Sequence, residues 1–151
     1  MIFCIEGLSI MTALLFSLCF IIVKQSSGQS TDYSDPETLP CGSSSNYVLN
    51  IDHSVAIETP NYPDQYGPFE RCIWKIKVPP NSNLSIECQD FDLHRSDKFC
   101  IKDRKMKANS KCYKGTASWW EDPYTFAVHD FNAKFVIIFK SNRKGEGYGF
   151  R

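Results

Sequence analysis

The chain has 151 residues, which is enough for one domain, and its 17 Lys and Arg residues balance 17 Asp and Glu residues. With a formal net charge of zero, the overall charge gives no guide to partners. No stretch shows a sustained helical period, whereas short stretches alternate between apolar and polar residues. The composition therefore favours a domain built from strands.

The first 28 residues have the features of a secretory signal. Residues 7–23 are apolar apart from Ser9, Thr12 and Ser17, and small residues precede the bond between Gly28 and Gln29. Glu6 stands where a basic residue is usual, so an uncleaved signal anchor is the alternative. The sequence predicts cleavage and secretion to the extracellular space. Residues 29–40 are polar with two prolines and are predicted to be a flexible leader before a folded domain over residues 41–151.

An ordered loop is predicted over residues 59–70, because its prolines and glycine interrupt any regular ladder. Its aromatic residues are expected to pack on the layer beneath: Tyr62, Tyr66 and Phe69. From residue 72 strict alternation predicts a half-buried strand. The inward side chains are expected to be Cys72, Trp74, Ile76 and Val78.

Further short strands are predicted along the rest of the chain. Residues 83–88 should place Leu84, Ile86 and Cys88 inward, and residues 135–139 are apolar on both faces, which is typical of a central strand. Trp119 and Trp120 are predicted to cap a loop, with one of them half buried. Seven or eight short strands separated by turn signals predict an all-β, two-sheet antiparallel sandwich.

The T-P-N-Y-P-x-x-Y loop, the C-x-W-x-I-x-V-P strand and the F-D-L turn resemble the CUB domain, and the resemblance covers residues 41–151. It implies a disulfide-stabilised extracellular β-sandwich of the jelly-roll type. Within this family the chain is most similar to secreted arthropod proteins, including components of venoms and digestive secretions. Function varies among CUB domains, so the resemblance implies the fold more directly than the activity.

Five cysteines remain if residues 1–28 are removed, and an odd number in a secreted chain leaves one without a partner inside it. The resemblance implies disulfides between Cys41 and Cys72 and between Cys100 and Cys112. Cys88 is then either a buried free thiol or the partner of a cysteine beyond Arg151. Some arthropod CUB modules carry such a pair, which favours a natural chain that continues past Arg151.

No active site or cofactor is predicted. No serine lies in a nucleophile motif, and no histidine has a second ligand at metal spacing. Many CUB domains bind Ca²⁺ through three acidic positions, which correspond here to His94, Asp97 and Asn142. Their single carboxylate supplies too little negative charge to replace the water around Ca²⁺, so no metal site is predicted and Asp97 is expected to be structural.

One segment has a strongly asymmetric charge. Residues 98–114 contain seven cations opposed only by Asp103. The candidate binding residues in it are Lys102, Arg104, Lys105, Lys107 and Lys111. One interpretation is a solvated charge run. The other interpretation is a functional one, in which the segment binds an acidic protein, a sulfated glycan or anionic headgroups. Nucleic acid is disfavoured as a partner because the protein is predicted to be extracellular. Asn83 begins an N-glycosylation sequon.

The sequence therefore predicts a secreted, non-catalytic module that binds an extracellular protein or anionic glycan, with no membrane span after signal cleavage. One alternative is the N-terminal module of a trypsin-like protease whose catalytic domain lies beyond Arg151; a T-A-A-H-C motif downstream would distinguish it. A second alternative is a glycan-binding protein similar to spermadhesins, which heparin chromatography of the mature chain would test.

Overall fold

The computed structural model describes residues 19–24, 36–42, 46–88, 90–106, 110–116, 124–129, 133–143 and 147–151. Within these ranges every regular element is a β-strand, and no helix is long and apolar enough to cross a membrane. The strands are β1 Cys19–Lys24, β2 Glu37–Leu39, β3 Asn46–Val48, β4 Ser54–Ile57, β5 Arg71–Val78, β6 Ser82–Cys88, β7 Phe91–Asp92, β8 Lys98–Asp103, β9 Lys111–Tyr113, β10 Tyr124–Val128, β11 Ala133–Lys140 and β12 Gly149–Phe150.

Two five-stranded sheets enclose one hydrophobic core. Sheet A has the strand order β10-β6-β1-β4-β2, and sheet B has the order β3-β5-β11-β8-β9. A small ribbon pairs β12 with β7. Most pairs are antiparallel, and the parallel pairs β2–β4 and β3–β5 lie at sheet edges. The predicted all-β sandwich is confirmed, with these two parallel edges added.

Period-two alternation accounts for the centre of sheet B. In β5 the predicted inward residues are all buried, and in β11 the buried residues are Ala133, Phe135, Ile137 and Phe139. β11 pairs with β5 on one side and β8 on the other, so the predicted central strand is central. Its β-branched outward residues are half-buried, as expected for a strand with neighbours on both sides.

Part of the predicted flexible leader is a strand. β2 pairs in parallel with β4, and the Leu39 side chain is only 6% exposed. The Trp74 indole N–H donates to the Leu39 carbonyl at 3.1 Å. The prediction of a leader through residue 40 is wrong for these residues, because a buried indole needs an acceptor and the backbone of β2 provides it.

The loop over residues 59–70 uses its aromatic residues unequally. Tyr66 is fully buried with its ring edge-on to Phe139, at 4.9 Å between centroids. Tyr62 is half-buried, and Phe69 is 71% exposed. The expectation that Phe69 packs on the core is wrong: its φ of 60° turns the backbone into the left-handed region at this point.

β1 is the largest difference from the sequence analysis, because it lies inside the segment predicted as a secretory signal. It occupies the centre of sheet A between β4 and β6, and Ile21 is fully buried. Apolar character suits both a signal segment and a buried strand, so the alternation signal was hidden within a continuous apolar run.

Candidate functional site

Two disulfides hold sheet B, one at β5 and one at the β8–β9 edge. Cys41 bonds to Cys72 at the start of β5, and Cys100 bonds to Cys112 across the β8–β9 hairpin. Cys100 and Cys112 are also direct register partners. The second disulfide therefore ties the two strands of the hairpin at its base.

Cys88 is disulfide-bonded, which corrects the expectation of a free thiol within this chain. The four cysteines named above bond to one another, so Cys88 takes part in neither of those two disulfides. In the ladder of β1 and β6, Cys19 is the residue directly opposite Cys88. The sequence did not indicate that Cys19 and Cys88 are register partners, because residues 1–28 were predicted to be removed as a signal.

A buried carboxylate lies under the loop of residues 59–70. Asp97 is 1% exposed; its Oδ2 accepts from the Tyr66 hydroxyl at 2.8 Å, and its Oδ1 accepts from the Asn142 backbone N–H at 3.0 Å. The Tyr66 hydroxyl in turn accepts from the His94 backbone N–H at 2.9 Å. We call these four residues the Asp97 cluster: Tyr66, His94, Asp97 and Asn142.

The Asp97 cluster joins three parts of the chain, namely the 59–70 loop, the turn before β8 and the end of β11. Burial is the main cause that raises the pKa of Tyr66, the bond to Asp97 and its negative charge raise it further, and the His94 N–H opposes them. Tyr66 therefore stays protonated and acts as a donor. A buried carboxylate with donors on both oxygens serves as a structural anchor.

The three positions that correspond to calcium ligands in many CUB domains, His94, Asp97 and Asn142, all belong to this cluster. The His94 imidazole contacts the Ser96 hydroxyl, and the Asn142 amide also donates to it. Within the described residues no group of three or more His, Cys, Asp and Glu side chains could hold a metal ion. The donor set combines one carboxylate with an imidazole and an amide, which does not fit a hard cation.

We therefore expect millimolar Ca²⁺ to leave the thermal unfolding midpoint unchanged, because a ligand that does not bind the native state cannot shift its stability. Differential scanning fluorimetry with Ca²⁺, and with Mg²⁺ as the matched divalent control, measures this. A rise of several degrees with Ca²⁺ alone would contradict the prediction and assign Asp97 a metal-binding role.

The β8–β9 hairpin carries the candidate binding residues on an exposed edge. Lys102, Arg104, Lys105 and Lys111 are all exposed, whereas Lys107 lies outside the described residues. Asp103, the one anion of the segment, accepts from the backbone N–H groups of Lys105 and Met106, which builds the turn after β8. The Lys111 ammonium lies 5.1 Å from the centre of the Tyr113 ring.

Two other predicted positions have different outcomes. Asn83 is exposed in β6, whereas the Ser85 hydroxyl of its sequon is buried and contacts Glu87 and Thr125. Glycosylation at Asn83 stays a prediction. Trp119 and Trp120 lie outside the described residues.

The fold and its disulfides define a class of protein: a small, disulfide-stabilised β-sandwich module. The CUB domain family model matches residues 41–151, and the chain belongs to the CUB family. This confirms the family named from the loop and strand motifs.

Several curated proteins are similar over parts of the chain. Tolloid-like protein 2 of Mus musculus is 42% identical over 41 residues, which is 27% of this chain and 4% of that protein. Bone morphogenetic protein 1 homolog of Strongylocentrotus purpuratus is 38% identical over 50 residues, or 33% of this chain and 8% of that protein. Signal peptide, CUB and EGF-like domain-containing protein 2 of Mus musculus is 29% identical over 103 residues, which is 66% of this chain and 10% of that protein.

The full extracellular region of zebrafish Gpr126/Adgrg6 is a solved structure with the same fold. It superimposes with a TM-score of 0.51 at 23% identity and covers 70% of this chain and 14% of that one. The chain spans a tenth or less of the curated relatives described above. These relatives therefore support the module and its fold, while their whole activities belong to larger proteins.

Proposed function

We propose that the chain is a secreted, non-catalytic CUB module that binds an extracellular protein or an anionic glycan through the β8–β9 hairpin. The observation that supports this function is the exposed set of cations on a hairpin joined at its base by Cys100–Cys112. Cations held on a covalently closed edge produce a local field that attracts anions without a shaped pocket.

The test is charge reversal in the segment of sequence that connects β8 and β9. The double variant Lys105→Glu, Lys107→Glu should lose most of its retention on heparin at low salt, where screening of exposed charges is weakest. Its urea unfolding midpoint should stay close to wild type, because exposed charge changes rarely affect stability by more than about 0.5 kcal/mol.

A charge-matched control distinguishes the effect of the hairpin site from the effect of a changed net charge. Lys105→Glu alone is compared with Arg95→Glu, which makes the same change on an exposed turn outside the hairpin. Retention that stays at the wild-type level in the double variant, or that falls equally in the Lys105 and Arg95 variants, would contradict the hairpin as the binding site.

The protease alternative also stays a prediction. It requires a catalytic domain beyond Arg151, and reading the transcript past that codon for T-A-A-H-C tests it. The CUB module itself is non-catalytic in either case. Secretion into venom or digestive fluid likewise stays a prediction, and proteomics of those fluids measures it.

A further inference from the structure

The outer face of sheet B carries a second and larger set of cations. Alternation in β5, β8 and β11 points one set of residues into the core and the other set outward. The outward cations, which we call the basic face, are Arg71, Lys75, Lys77, Lys98, Lys102, Lys134 and Lys140. Among the described outward residues of these three strands, none is an Asp or a Glu.

The strand register places several of these cations directly opposite one another. Lys140 in the central strand has Arg71 as its partner in β5 and Lys98 as its partner in β8. In a second row Lys134 is the partner of Lys77. Like charges directly opposite in a sheet are destabilising, so the fold maintains this face at some cost in stability.

The cations form an extended array and do not surround a cavity. Neighbouring strands lie about 4.8 Å apart, and successive outward residues on one strand lie about 6.8 Å apart. Between the row of Lys140 and the row of Lys134, half-buried apolar residues fill the centre of the face: Ile73, Val136 and Ile138. Lys75 and Lys102 flank Val136, and Lys102 connects the basic face to the hairpin.

We propose that the basic face binds the chain of a sulfated glycosaminoglycan. The inference rests on the proposed binding function and names its ligand class. A linear polymer with repeated anionic groups complements rows of cations spread over several strands, because each row can meet successive charges of the polymer. Long lysine side chains can reach upward from their half-buried stems and adapt to irregular sulfate positions. A face with cations in three of its four rows and no outward anion among the described residues of these strands matches a dense polyanion better than the mixed charges of an ordinary protein surface.

The decisive variants lie in the central strand, where fold stability and ligand binding should change in opposite directions. Lys140→Glu replaces two like-charge neighbour pairs with opposite-charge pairs, so its urea unfolding midpoint should equal or exceed that of wild type. Its heparin affinity should fall by about tenfold or more, since one cation at an anionic surface contributes roughly a factor of five and the reversal also adds a negative charge. Lys134→Glu should likewise keep or raise the unfolding midpoint and lower the heparin affinity, because it replaces the like-charge pair of Lys134 and Lys77 with an opposite-charge pair.

The measurement is isothermal titration of the full chain with heparin at near-physiological salt, with Arg95→Glu as the control of equal charge change. Chemically desulfated heparin and polyglutamate are titrated as further arms. We expect strong binding to heparin, weak binding to the other two polymers, and little loss in the Arg95 variant. Equal losses in Lys140→Glu and Arg95→Glu would overturn the inference, as would equal affinity for polyglutamate, which would indicate an acidic protein partner.

The hairpin variants separate this inference from the proposed function. Loss of heparin binding in Lys105→Glu, Lys107→Glu with full binding in Lys140→Glu would overturn the basic face and leave the hairpin proposal intact. Loss in Lys140→Glu alone would support the basic face and contradict the hairpin as the site. Absence of heparin binding by the wild-type chain would overturn the basic face, whereas binding of an acidic protein could still support the hairpin.

Discussion

A chain that begins at Gln29 should be several kcal/mol less stable than one that begins at Cys19. The shorter chain lacks β1, whose backbone pairs with β6 and β4 on its two sides. The loss includes the burial of the Ile21 side chain, about 1.5–3 kcal/mol, and the backbone hydrogen bonds of β1 to two neighbouring strands, each about 0.5–1.5 kcal/mol. Together these contributions are a large part of the stability of a whole small domain, about 5–15 kcal/mol.

Urea unfolding of residues 19–151 and residues 29–151, each refolded under oxidising conditions, measures the difference. Thiol titration provides an independent readout: the shorter chain should expose one reactive cysteine after denaturation, and Cys88→Ala should remove it. Equal midpoints for the two chains would contradict the prediction and show that sheet A closes without β1.

The same apolar run can serve as a signal segment or as a buried strand, but a cleaved signal cannot remain in the sheet. We keep cleavage at Gly28/Gln29 as a prediction, and N-terminal sequencing of the secreted protein tests it. Recovery of residues before 19 from the secreted protein would assign β1 to the mature domain. Recovery of Gln29 would mean that the space between β4 and β6 must be closed differently.

The position of β12 bears on that question. The Phe150 carbonyl accepts from the Thr59 N–H just after β4, and Phe150 pairs with Phe91 just after β6. β12 therefore lies between the continuations of β4 and β6, in line with the position that β1 occupies between these two strands. In a longer form of the chain, residues after Arg151 would be directed toward the position of β1 between β4 and β6. The predicted cysteine there, bonded to Cys88, stays a prediction that non-reducing peptide mapping measures.

Asp97→Ala should be the most destabilising single substitution outside the hydrophobic core, at about 2–5 kcal/mol. It removes the acceptor of the buried Tyr66 hydroxyl and of the part-buried Asn142 N–H, and a fully buried donor left unsatisfied costs about 1–3 kcal/mol. Asp64→Ala, on an exposed position of the same loop, is the control and should change stability by less than about 0.5 kcal/mol.

A double-mutant cycle assigns the loss to this contact. Tyr66→Phe removes the hydroxyl and keeps the ring that packs on Phe139, so its effect combined with Asp97→Ala should be smaller than the sum of the single effects. Strict additivity in urea unfolding would show that the Tyr66–Asp97 hydrogen bond contributes no coupling energy. It would also contradict the structural role assigned to the carboxylate.

The sequence predicted most of sheet B because each of its strands carries its own signal. Alternation from Cys72 to Val78 identifies β5 and its buried face without knowledge of its neighbours. The T-P-N-Y-P motif identified the loop and the family in the same way. The sequence also indicated that Lys75 and Lys77 point outward, but it could not place Lys134 or Lys102 beside them, since register depends on pairing between distant segments.

Short strands with few residues were not predictable from local pattern. β2 has three residues, and only the contact of its backbone with Trp74 explains why it is ordered. The hydrogen bonds of the Asp97 cluster join residues up to 45 positions apart in the sequence, so no local motif could indicate that Tyr66 and Asn142 meet one carboxylate.

The sequence by itself determined the class of the domain, its main strands and the cysteines that frame sheet B. These properties depend on alternation and on motifs of adjacent residues, which are local. Only the tertiary structure decided which segment fills the centre of sheet A, what becomes of Cys88, and which lysines share one face. Those outcomes depend on pairing between segments that are distant in the sequence. An apolar run such as β1 becomes a strand only where two other strands leave a gap whose register matches its own.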